Sequence, residues 1–158
     1  FTSSCSGTIP LVGKKERLVS HSREETQHFF QKLAKRLKAG YVIGFRGELG
    51  AGKTTAIQAI LAAFKVDGGE SPTFVMIRPY ALRKPVRGIS LLVHVDAYRL
   101  ANTRDAQTTG LTDVLADPRA LILVEWADRI QSLLPKETIW VNLRHAGGDR
   151  RKVEVAWP

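Results

Sequence analysis

Gly47-Glu48-Leu49-Gly50-Ala51-Gly52-Lys53-Thr54-Thr55 is the stretch on which the reading of this chain turns. It follows the short apolar run Tyr41-Val42-Ile43-Gly44-Phe45 and opens an alanine-rich segment, so it joins a strand to a helix. Gly47, Gly52, Lys53 and Thr54 fill the fixed positions of the P-loop pattern GxxxxGK(S/T), in the strand-to-helix context that pattern needs. Gly47, Gly50 and Gly52 let the backbone take positive φ and approach phosphate oxygens. The N–H groups of the loop, Glu48, Leu49 and Ala51 included, then converge with the helix N-terminus on one anion. Lys53 is expected to reach the β and γ phosphates, Thr54 to set its hydroxyl on Mg²⁺, and Thr55 to touch the α phosphate. The plainer alternative is a glycine-rich turn before an ordinary helix with a solvated lysine. It would require strand, pattern and helix to coincide by chance.

Working outward, 158 residues suit one domain with a real core. A hydrophobic content of 44% with 25% charged residues is ordinary for a globular protein, and no apolar run approaches the roughly 18 residues of a membrane span. A soluble protein is therefore expected. Cys5 is the only cysteine, which excludes an internal disulfide and a cysteine-based metal site and fits a reducing compartment such as the cytoplasm. The formal charge of +9 raises the local concentration of nucleotides, RNA or acidic protein surfaces without choosing among them. Phe1 to Pro10 is rich in Ser, Thr and Gly. We expect a flexible tail over residues 1–17 and a single domain over 18–158.

Ser22, followed by Arg23, Glu24 and Glu25, reads as an N-cap with acids in the first helical turn. Phe29, Phe30, Leu33, Ala34 and Leu37 continue the helical spacing to Ala39-Gly40, with Lys32, Lys35, Arg36 and Lys38 on the remaining, solvated face. After the loop, Ala56 to Phe64 is apolar over most of its surface, as for a helix buried against a sheet, and Asp67-Gly68-Gly69 ends it. Ser71-Pro72-Thr73 then leads into a predicted strand, Phe74 to Ile77. Ser71 and Thr73 are candidates for a switch that orders around nucleotide; the alternative is a turn entering a strand. Arg83, Lys84 and Arg87, near Pro85 and Gly88, read as an exposed basic hairpin or loop.

Two apolar runs end in acids: Leu91 to Val95 before Asp96, and Leu121 to Val124 before Glu125. Ligands of parallel α/β sheets bind outside the carboxyl ends of the strands, so Asp96 and Glu125 are candidates to hold Mg²⁺ and orient an attacking water. Taken singly, each would also serve as an N-cap or a surface ion pair. His94 alternates with Asp96 but reads as a core histidine. Arg99 would steady a phosphate or pair with an acid, and Trp126 would stack on a base or fill the core. Ala127 to Leu134 reads as a short helix; Thr138–Leu143 and Val153–Trp157 read as a hairpin closing the sheet. The expected architecture is α/β, a P-loop NTPase-like three-layer sandwich with a mostly parallel central sheet and antiparallel edge strands.

GELGAGKTT, SPTF, HVDAYRL and VEWADRI stand in the order and approximate spacing of the bacterial tRNA threonylcarbamoyladenosine biosynthesis family TsaE (YjeE), which the chain resembles over roughly residues 18 to 157. The resemblance implies a small ATPase acting with TsaB and TsaD homologues to place a threonylcarbamoyl group on adenosine 37 of tRNAs that read ANN codons. ATP binding and hydrolysis would drive or reset the transferase, with tRNA met through the complex and no membrane involved. It implies that Lys53, Glu125 and Asp96 are catalytic, that Thr54, Glu125 and Asp96 are the Mg²⁺ residues, that Thr73 lies in the switch, and that Trp126 is near ATP or ADP. Glu48 stands where aspartate is commoner in the family, and Ala101 to Gly110 lacks the acidic-leucine text usual after YRL. A nucleotide-gated binding module with incidental turnover is the alternative from another class. A small-molecule P-loop kinase would need an arginine-bearing lid and an acceptor pocket, for which the chain leaves little room. The absence of an NKxD-like guanine reader favours ATP over GTP.

Overall fold

The computed structural model describes residues 13–67, 77–100 and 103–158. In chain order they form β1 (Lys15–Ser20), α1 (Arg23–Ala34), β2 (Val42–Arg46), α2 (Lys53–Ala63), β3 (Ile77–Val86), β4 (Ile89–Asp96), α3 (Thr103–Thr108), α4 (Leu111–Leu115) and β5 (Ala120–Glu125). A 3₁₀ segment, Ala127–Leu133, then leads to β6 (Ile139–His145) and β7 (Arg151–Ala156). The strands make one sheet in the order β1-β7-β6-β2-β5-β4-β3. Its middle, β6-β2-β5-β4, is parallel, and β3, β7 and β1 are added antiparallel.

The burial pattern explains which strands lie inside. β2 is buried at Val42, Ile43, Gly44 and Phe45 and β5 at every position, the continuous pattern of a strand covered on both faces. One face carries Ile43, Phe45, Leu121 and Leu123 against Phe30 and Leu33 of α1 and Ile57, Ile60 and Leu61 of α2. The opposite face carries Val42, Val93, Val95, Ile122 and Val124 against Leu111 of α4 and Ile130 of the 3₁₀ segment. The result is the three-layer sandwich that the alternation of strands and helices implies.

Ser22 caps α1, its hydroxyl accepting from the Glu25 N–H at 3.1 Å, and the Glu25 carboxylate accepts in turn from the His21 N–H. The helix ends at Ala34, short of the expected Ala39-Gly40, and the chain goes on in i→i+3 bonds from the Arg36 N–H to Leu33 O and from the Leu37 N–H to Ala34 O. Arg87 Nε donates to Leu37 O at 2.7 Å and its Nη2 to Ala34 O at 2.8 Å, satisfying carbonyls at and just past the helix end. Arg87 and Gly88 both have positive φ, 49° and 78°, and form a two-residue turn between β3 and β4.

Arg83 and Lys84 lie exposed on β3 and Arg87 in its turn to β4, the expected basic hairpin. Three features depart from the sequence reading. Lys15–Arg17, expected in the tail, pair with β7 as part of β1. The strand expected over Phe74 to Ile77 runs on to Val86 as β3, an antiparallel edge strand. β6, expected in a hairpin at the sheet's edge, pairs parallel with β2 on its other side and so stands inside the sheet. Ser71, Thr73 and Phe74 to Met76 lie outside the described residues. Among the described residues no helix is long and apolar enough to cross a membrane.

Candidate functional site

The loop from Gly47 to Gly52 leaves the carboxyl end of β2 and delivers Lys53 as the first residue of α2. Gly50 and Gly52 have φ of 78° and 103°, a region that L side chains rarely adopt. Gly52 stands at the N-cap of α2 and offers no side chain to its first N–H groups, so those donors and the positive end of the helix remain for an anion.

Lys53 is 5% exposed. Its Nζ donates to Gly47 O at 2.6 Å and Glu48 O at 2.9 Å and sits 3.7 Å from the ring centroid of Trp126. Burial pushes its pKa below the ordinary lysine value, while the charges of Glu125, Asp128 and Asp96 pull it back up. The cation is thus held by two carbonyls and an aromatic face in the field of three acids, with little water to strip before it meets a phosphate.

Thr54 and Glu125 are brought together from 71 residues apart. The Thr54 hydroxyl lies 3.0 Å from Glu125 Oε1 and 3.2 Å from Oε2. Glu125 is 3% exposed at the end of β5, and its Oε1 also lies 2.8 Å from His94 Nε2. Asp96 is opposite Glu125 in the β4–β5 register, and its Oδ1 accepts from the Tyr98 N–H at 3.0 Å. Both acids are therefore at neighbouring strand ends on the side of the sheet that carries Lys53. Trp126, at φ 55°, turns the chain out of β5, with its ring 4.9 Å from that of Tyr98 and the Arg129 guanidinium 5.8 Å away.

A cleft of about 420 Å³ opens over the loop. Leu49, Gly50, Gly52, Lys53, Thr54, Thr55, Glu125 and Trp126 form one part of its wall. Arg23 and Thr26 of α1, with Asp149 and Arg151 from the β6–β7 hairpin, form the other. Leu49 is 86% exposed at the mouth, and Ala51 is buried beneath the loop. Asp96 stands beside the cleft, not on its wall. Arg23, Thr26, Asp149 and Arg151 carry no motif; only folding places them against a loop that is about 100 residues distant from the last two.

The donors suit Mg²⁺. The hydroxyl of Thr54 and the carboxylates of Glu125 and Asp96 are hard oxygen ligands, and among the described residues no group of three or more His, Cys, Asp or Glu would hold a metal unaided. Mg²⁺ is commonly held by one or two carboxylates with substrate phosphates and water completing its shell.

The family model of Threonylcarbamoyl adenosine biosynthesis protein TsaE matches residues 20–153. A tRNA threonylcarbamoyladenosine biosynthesis protein TsaE from Mycobacterium tuberculosis (strain H37Rv) is 35% identical over 140 residues, 85% of this chain and 82% of that protein. One of the same name from Bacillus subtilis (strain 168) is 33% identical over 131 residues, covering 82% and 78%. The crystal structure of Bacillus subtilis YdiB superposes with a TM-score of 0.72 at 26% identity, over 91% of this chain and 86% of that one.

Proposed function

This chain belongs to the TsaE family of threonylcarbamoyl adenosine biosynthesis proteins, and from that membership we propose that it is the Mg²⁺-dependent ATPase of tRNA threonylcarbamoylation. It works in the cytoplasm with TsaB and TsaD homologues, and its ATP cycle drives or resets the assembly that modifies adenosine 37. The observation that carries this reading is the contact between Thr54 and Glu125 beside a nearly buried Lys53. A solvated lysine after a glycine turn would have neither the burial nor the acid.

Each residue has a task that follows from its place. The N–H groups of the loop and of the first turn of α2 bind the phosphates. Lys53 transfers its donors from Gly47 O and Glu48 O to phosphate oxygens, a favourable exchange because the new partners are charged. Thr54 and Glu125, with Asp96 beside them, would hold Mg²⁺, which would neutralise phosphate charge. Glu125, freed of part of its bond to Thr54, orients water for attack. Thr55, Leu49 and Trp126 border the nucleotide; the switch role of Ser71 and Thr73 rests on the family resemblance alone.

Phosphate release from ATP, measured for the isolated protein and then with partner proteins and tRNA, tests the reading. Stimulation by the partners is expected, with Lys53→Ala inactive; Lys53→Ala turning over at the wild-type rate would overturn the site. Because the Lys53 cation rests on Trp126, ATP should change tryptophan fluorescence, and Trp126→Phe should remove that change.

A further inference from the structure

Leu92, His94 and Asp96 alternate along β4 with Val93 and Val95, so His94 lies on the same face of the sheet as Asp96 and next to Glu125. It is 1% exposed, and its Nε2 is 2.8 Å from Glu125 Oε1. Its other ring nitrogen, Nδ1, is buried and has no hydrogen-bond partner among the described residues. A histidine that only filled space would not be selected over leucine at such a position, because its polar atoms are costly to bury unpaired. Among the described residues its partner is the acid that also meets Thr54.

A carboxylate oxygen accepts, so Nε2 carries the hydrogen that joins ring and acid. The ring thus donates to Glu125 Oε1 and fixes the rotation of the carboxyl group, which Thr54 also engages at both oxygens.

We propose that His94 is a positioning residue for Glu125: an imidazole whose Nε2–H holds the carboxylate in the orientation that phosphate hydrolysis requires. This rests on the reading of Glu125 as the acid of the ATPase site. His94 touches no substrate, and its effect falls on turnover rather than on nucleotide affinity.

Geometry supplies the test. The side-chain amide nitrogen of glutamine overlays histidine Nε2, and that of asparagine overlays Nδ1, so His94→Gln keeps a donor toward Glu125 and His94→Asn moves it away. Both variants bury one amide, which makes their folding costs comparable. Steady-state ATP hydrolysis with Mg²⁺ should show His94→Asn losing about tenfold to a hundredfold in kcat, the usual scale for an orienting partner. KM should stay within about threefold, and His94→Gln should recover most of the loss. In a Glu125→Ala background, His94→Asn should cost nothing more, because the group it positions is gone. Equal kcat for the asparagine and glutamine variants, or a further loss in the double variant, overturns the proposal and leaves the ATPase site standing. A wild-type kcat in Glu125→Ala removes the site reading, and the role of His94 with it. Nitrogen-15 correlation spectra of the wild-type protein give an independent readout that needs no variant to fold. His94 should show a protonated Nε2, and a bare Nε2 would sink the idea.

Discussion

Gly44 lies in the middle of β2, and its φ is not in the left-handed region, so space rather than backbone freedom demands glycine there. A Cβ at this position would stand 2.6 and 2.8 Å from two ring carbons of Trp140 and 2.9 Å from Ala127 Cβ. Carbon atoms pack best at about 3.5–4.0 Å, so each neighbour would have to give way by roughly 1 Å. None is free to do so. β2 is laddered on both sides by β5 and β6, Trp140 carries the Arg46 guanidinium 3.6 Å from its ring centroid, and Ala127 is fully buried. Overpacking of this kind costs about 1–3 kcal/mol, and three contacts below 3.0 Å argue for its upper half. Stiffening the unfolded chain returns up to about 1 kcal/mol. Gly44→Ala should therefore lose about 1–3 kcal/mol, or roughly 2–12 °C in Tm for a chain of this size. Urea titration followed by circular dichroism, with a thermal scan alongside, measures both. Trp140→Leu removes the contacted ring, so the double variant should lose less than the sum of the two singles. A Gly44→Ala protein melting within 1 °C of wild type would refute the packing argument.

Other outcomes follow from the same structure. Glu125→Ala should lower ATP turnover far more than ATP affinity, since Lys53 and the loop remain to bind phosphate; a parallel loss of both, seen by fluorescence titration and phosphate release, would count against its role. Arg87→Ala removes two charged bonds to the end of α1 and should cost about 1–2 kcal/mol in urea unfolding, because those carbonyls then rely on water. Glu16 accepts from Arg36 and from Trp157 Nε1, the latter at 2.9 Å, and the Arg36 bond holds its pKa below the ordinary carboxylate value. A depressed folded pKa means stabilisation that is present above the ordinary value of 4.5 and is lost as pH falls through the folded one. Wild-type stability should thus decline as the pH is lowered below about 5, and Glu16→Gln should flatten that decline; an unchanged slope would show that the pair contributes nothing.

Local pattern was sufficient for the phosphate loop, for α1 with its Ser22 cap, and for the two apolar runs that end in Asp96 and Glu125. Each of these is written within a dozen residues, because glycine conformation, capping and strand burial depend on near neighbours. β1 escaped notice because Lys15, Glu16 and Arg17 give it the charged look of an edge strand, whose outer face water can satisfy. His94 was legible as a companion of Asp96 by alternation, yet its bond to Glu125 was not. That bond spans 31 residues and depends on which strand stands beside β4. The same holds for β6 beside β2 and for Arg151 beside the loop, where the order of strands decides.

What the sequence alone determined is therefore the chemistry available: a glycine-bent anion cradle, a lysine, a threonine and two acids at strand ends. Only the tertiary structure decided which of them meet. The parallel pairing of β4, β5, β2 and β6 brings together groups separated by tens of residues, and no local propensity encodes that pairing; the burial of two faces of one sheet imposes it.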